Sequence, residues 1–140
     1  MKNIFFLLTI FSCLSSFTQD TWIVKHNKIE LLNTGKSDPV QNIIAITQTD
    51  LNKAGELVIM YKETNPQKKW VRYLVVYDDA ENILIQKKGI SILKLSNVSL
   101  KKFLLKNSVI KIFTWNLPAD PKQAAGIRVR RLHLCTIELK

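Results

Sequence analysis

The stretch KKWVRYLVVYD, residues 68–78, decides how this chain is read. Alternate positions place Trp70, Arg72, Leu74 and Val76 on one face of a strand and Val71, Tyr73, Val75 and Tyr77 on the other. Both faces are largely apolar, so the strand belongs inside a sheet and is covered on each side. Arg72 is then partly buried and needs an acidic or carbonyl partner, because an unpaired buried charge is costly.

On either side of this strand the pattern repeats in shorter units. DDAEN (78–82) is a polar turn leading into ILIQKKG (83–89), a hairpin partner, and ISILKLS (90–96) follows. Upstream lie the strands ELVIMYKE (56–63) and NIIAITQ (42–48), with TDLNKAG (49–55) as the turn between them. KSDPVQ (36–41) is a turn, since Pro39 has no amide to donate and Asp38 can bond the backbone beyond it. TWIVKHNKIELLNTG (21–35) is one bent strand or two short ones around His26, Asn27 and Lys28. Short segments rich in Ile, Val, Tyr and Trp, separated by turn signals, predict an all-β fold. The expected architecture is a single antiparallel β-sandwich of about seven to nine strands with one or two short helical connections, an open barrel being the alternative.

Two pieces read as helices. In SLKKFLLKN (99–107), Ser99 can cap the first turn, Leu100, Phe103 and Leu104 share one side, and Asn107 can close the end in a left-handed conformation. In ADPKQAAG (119–126), Asp120 is the expected cap, Pro121 takes the first helical position, and Gly126 marks the stop. VIKIFTW (109–115) is the strand between them.

The chain ends in GIRVRRLHLCTIELK (126–140), read as one long bent strand. Strict alternation would bury Arg131 beside Val129 and expose Leu132 and Leu134. A β-bulge near Arg130 and Arg131 restores the leucines to the core, and a second phase change is expected near Cys135 and Thr136.

The first residues, MKNIFFLLTIFSCLSSFT (1–18), have a charged start, an apolar middle and small residues at the end, the outline of a secretory signal. Cleavage is expected after Thr18, leaving residues 19–140 as one domain, periplasmic or secreted. The apolar run is too short to span a bilayer, which needs about 20 residues, so no transmembrane segment is expected after signal removal. A retained membrane anchor or a buried first strand is the other reading, and Ile10-Phe11-Ser12-Cys13 loosely resembles a lipobox, which would leave the chain lipid-anchored through Cys13. Without Cys13, Cys135 is alone and no intrachain disulfide can form, so the apolar core must hold the fold.

The formal net charge is +10 and is unevenly spread: residues 19–100 hold 11 basic and 9 acidic side chains, residues 101–140 hold 9 and 2. Basic surfaces attract phosphate- and carboxylate-rich partners. For an exported chain these are an acidic protein or an envelope polyanion; nucleic acid is not expected. The candidate binding residues are Arg128, Arg130 and Arg131, whose guanidiniums suit such anions, extended by Lys101, Lys102 and Lys111.

Catalytic signals are sparse. His133 and Cys135, two apart, would share a strand face about 7 Å apart, and a thiol nucleophile needs a base at hydrogen-bond distance. His26, His133 and Cys135 could supply three metal ligands only if the fold gathered them. Asp78, Asp79 and Glu81 fit a polar hairpin tip better than a calcium loop, which wants six to eight oxygens. Four glycines in 140 residues leave no room for a phosphate-cradling loop. Trp22, Trp70 and Trp115 are expected in the core or at its rim rather than as a sugar platform. Asn97-Val98-Ser99 is a glycosylation acceptor if the chain passes through an ER. The composition therefore favours a binding or assembly module without a cofactor; a subunit pairing through its strand edges, or an enzyme using His133 and Cys135, are the alternatives.

Overall fold

The computed structural model describes residues 19–140; the expected signal segment lies outside them. Among the described residues nine strands form two sheets, with three short helices in the connections. The first sheet holds β1 (Thr21–His26), β2 (Ile29–Thr34), β4 (Glu56–Lys62) and β7 (Ile92–Ser96), in the order β2-β1-β4-β7. The second holds β3 (Ile43–Ile46), β5 (Trp70–Asp78), β6 (Ile83–Lys88), β8 (Val109–Pro118) and β9 (Leu132–Leu139), in the order β3-β9-β8-β5-β6. The fold is all-β, and one core takes side chains from both sheets, among them Trp22, Leu57 and Leu93 from the first and Leu74, Ile112 and Ile137 from the second. Trp22 Nε1 crosses this core, donating to the carbonyl of Leu134 at 2.9 Å.

β5 is flanked by β8 and β6, as its two apolar faces require. Leu74 and Val76 enter the core, and Val75 and Tyr77 are buried on the opposite face. Thr21 to Thr34 form two strands, not one bent strand: Asn27 and Lys28 both take positive φ, the turn that matches strand twist in a two-residue hairpin. Pairing departs from antiparallel once among the described strands. β3 reaches the edge of the second sheet after the chain has crossed over from β2, and it runs parallel to β9.

The turn expected at 49–55 begins as a one-turn helix, α1 (Gln48–Leu51), because the Thr47 hydroxyl accepts from the Asp50 amide. The longer helix, α2 (Asn97–Asn107), starts three residues earlier than expected: Ser96, not Ser99, is the cap, and its Oγ accepts from Ser99 N at 3.2 Å. At the other end Ser108, not Asn107, takes the left-handed conformation at φ 61°. Asn107 instead spends its amide on the Phe103 carbonyl. The third helix, α3 (Pro121–Ala125), follows Asp120 and Pro121 as expected.

The closing segment differs most. Residues 126–131 are not strand; β9 begins only at Leu132, opposite Thr114. Arg128 and Arg130 gain nothing from joining a ladder that would draw them out of water, whereas Leu132 and Leu134 gain burial. The expected bulge near Arg130 is absent; the register slips where Ile112 faces Cys135 and Phe113 faces His133, leaving Leu134 extra, beside the phase change expected near Cys135 and Thr136. This single slip lets Leu134, Cys135 and Ile137 all enter the core.

Candidate functional site

The bulge leaves carbonyls to be satisfied, and three side chains from β1 and the β2–β3 connection do it. Ser37 Oγ donates to the carbonyl of His133 at 2.9 Å, while Asn42 Nδ2 joins Trp22 at that of Leu134. The connection before it, Gly126 to Arg131, is thereby left on the outer side of the second sheet, ahead of a firmly anchored strand. Arg131 is the tethered member of the arginine trio. Its guanidinium lies 5.4 Å from the Tyr77 ring and 5.5 Å from Phe113, with Nη2 3.7 Å from Glu81 Oε1. Arg128 and Arg130 are exposed and have no salt bridge among the described residues. With Val129, Glu81 and Phe113 the three arginines line an open depression of about 570 Å³.

The lysines expected to extend this surface are divided. Lys111 is on the outer face of β8, and its Nζ sits 2.9 Å from Asp79 Oδ1 at the β5–β6 tip. Lys101 and Lys102 are on α2, where Lys101 Nζ donates to Asn52 Oδ1 at 2.6 Å beside α1. They line a different depression from the arginines.

The bulge also separates the proposed nucleophile and base. Cys135 faces the core, with no exposed surface, and His133 faces outward, so the expected shared face is a misreading of the register. Burial pushes the Cys135 thiol up to about 12, and a protonated thiol is a poor nucleophile. His133 packs edge-on to Phe113, its Nε2 2.9 Å from Thr136 Oγ1 and its buried Nδ1 without a partner among the described residues. Desolvation, aided by Lys111 and opposed by Asp38, holds its pKa below 6.5. His26 lies in the other sheet, bonded to Asn97 Oδ1, and no metal-binding group of three ligands occurs among the described residues.

Asp78 and Arg72 are both tied to neighbouring side chains. Asp78 accepts from the side chain and backbone amide of Asn82, which hold its carboxyl below the ordinary range. Arg72 meets the Glu63 carboxylate and Thr114 Oγ1 and covers the Tyr61 ring at 4.1 Å, the acidic partner its burial demands. The tryptophans do not converge: Trp22 is buried, Trp115 stacks on Tyr73, and Trp70 sits at the rim at the start of β5. No helix among the described residues is long and apolar enough to cross a membrane. Compared with known proteins, the chain matches no family model, no curated protein and no solved structure.

Proposed function

We propose that the protein is an exported, non-catalytic binding or assembly module whose Gly126–Arg131 connection takes an acidic protein or an envelope polyanion. The observation that carries this reading is the pair Arg128 and Arg130, exposed, without acidic partners among the described residues, and next to the anchored Arg131. A guanidinium already bound to a carboxylate in its own chain has little left to offer a ligand. Arg128 and Arg130 keep their donor forks for planar carboxylates, sulfates or phosphates. The apolar floor of Phe113 and Val129 lets a partner bury carbon as well as charge.

The test is capture from envelope and culture fractions at low and high salt, with native protein beside Arg128→Glu/Arg130→Glu. A ligand held by the native protein at low salt, released at high salt and missed by the variant supports the reading. Equal retention by both overturns it.

A second reading rests on the edges β2 and β3, which close the same side of the two sheets and expose Ile29, Leu31 and Ile43. Exposed apolar edge strands are templates for pairing with another chain. A partner bound there would survive high salt and be indifferent to the arginine changes.

A further inference from the structure

Helix α2 buries Asn97, Leu100 and Leu104 against the sandwich. Its other side is not simply polar. Successive residues turn by about 100°, so Val98 and Leu105, seven apart, fall within about 20° of one line along the helix. That line runs along the flank of the helix, about 120° round from the centre of the buried residues, and Val98 is 80% and Leu105 55% exposed. Lys101 lies to one side of the line and Lys102 to the other. Asp50, the acid of the neighbouring α1, is occupied by Thr47 and Lys53.

We propose that this apolar ridge between lysines is a contact surface for an anionic lipid bilayer. Val98 and Leu105 rise at the rim of the open depression they line with Leu51 and Asn52, and a fluid interface deforms around such an uneven surface. Lysine stems lie along the apolar layer while their ammoniums reach the headgroup phosphates. A second copy of the chain is the wrong occupant, since it would set lysine against lysine on a molecule of charge +10. Each lysine near an anionic surface adds roughly five-fold in affinity, so the contact is peripheral and reversible.

The test is solution NMR of the full chain with bicelles carrying a gadolinium-chelate lipid. One set is phosphatidylcholine alone and the other a phosphatidylcholine–phosphatidylglycerol mixture. Because the read-out is the methyl signals of Val98 and Leu105 themselves, contacts made by any other segment do not imitate it. Both signals should broaden in the anionic bicelles and stay sharp in the neutral ones. Lys101→Glu/Lys102→Glu should weaken the lipid titration by about 25-fold or more, and Val98→Ser/Leu105→Ser, followed at α2 amides, by about ten-fold. Lys87→Glu/Lys88→Glu, with the same change of net charge on the β6 edge, should leave it intact. Sharp Val98 and Leu105 signals in the anionic bicelles overturn the proposal, as does equal loss in both lysine variants. So does an acidic protein that shifts these signals when the anionic bilayer does not.

Discussion

Asn97 opens an Asn-Val-Ser triplet, yet its side chain is 2% exposed. Oδ1 accepts from His26 Nε2, and Nδ2 is shared among Asn27 Oδ1 and the carbonyls of Asp50 and Lys53. One amide thus ties the β1–β2 hairpin, the loop after α1 and the start of α2. Gly55 is part of the same knot, because a Cβ there would collide with Asn27 Oδ1. Asn97→Ala leaves several buried groups unpaired and is expected to cost about 2 kcal/mol or more, measured by urea unfolding. The same burial predicts that folded protein made in a glycosylating host carries no glycan at Asn97, which intact mass determines. Cys135 is equally inaccessible: it should resist iodoacetamide at neutral pH in native protein and react fully in urea. Rapid native alkylation would contradict its place in the core.

At the scale of elements, helix ends and strand phase separate what is local from what is not. Ser96 and Ser99 are both plausible caps by residue type, and tertiary packing chooses between them: Asn97 must be inside, so the helix has to begin before it. Ser96→Ala is therefore expected to lower stability by about 1 kcal/mol. Ser99→Ala, whose hydroxyl only meets that of Ser96, should cost much less; the two urea midpoints decide the cap. In β9, deleting Leu134 removes the extra residue of the bulge, but it also removes the carbonyl that holds Trp22 and Asn42. The deletion is expected to abolish cooperative unfolding, whereas Leu134→Ile should retain it.

For the whole molecule, His133 links the two strands of its outer face to the crossover loop that contains Ser37 and Asp38. Its folded pKa is depressed, so between the unfolded value of 6.5 and that lower value the unfolded chain binds the extra proton. Stability is then complete above pH 6.5 and declines as pH falls through this window. Asp50 is held below 3.8 chiefly by Thr47 and Lys53, and Asp78 by Asn82; their contribution is lost only in stronger acid. Unfolding midpoints should fall between pH 7 and 5 in the native protein. His133→Gln, which has no charge to gain, should flatten that fall. An unchanged slope would place the acid sensitivity elsewhere.

Apolar alternation by itself determined the all-β class, most strand positions, the interior place of β5 and the need of Arg72 for an acidic or carbonyl partner. These follow from short-range periodicity and from the cost of burying charge, both written along one segment at a time. Asp120, Pro121 and Asp38 were legible for the same reason, since capping and turn bonds span only a few residues. Only the tertiary structure decided where β9 begins, that no bulge forms near Arg130, and which faces His133 and Cys135 take. Those depend on Ser37, Trp22 and Asn42 reaching carbonyls about a hundred residues away in the chain. It also decided that Lys111 pairs with Asp79 while Arg128 and Arg130 do not pair with an acid among the described residues. Alternation sets the side of a strand on which a residue sits, but a surface is assembled from strands that the sequence does not list side by side.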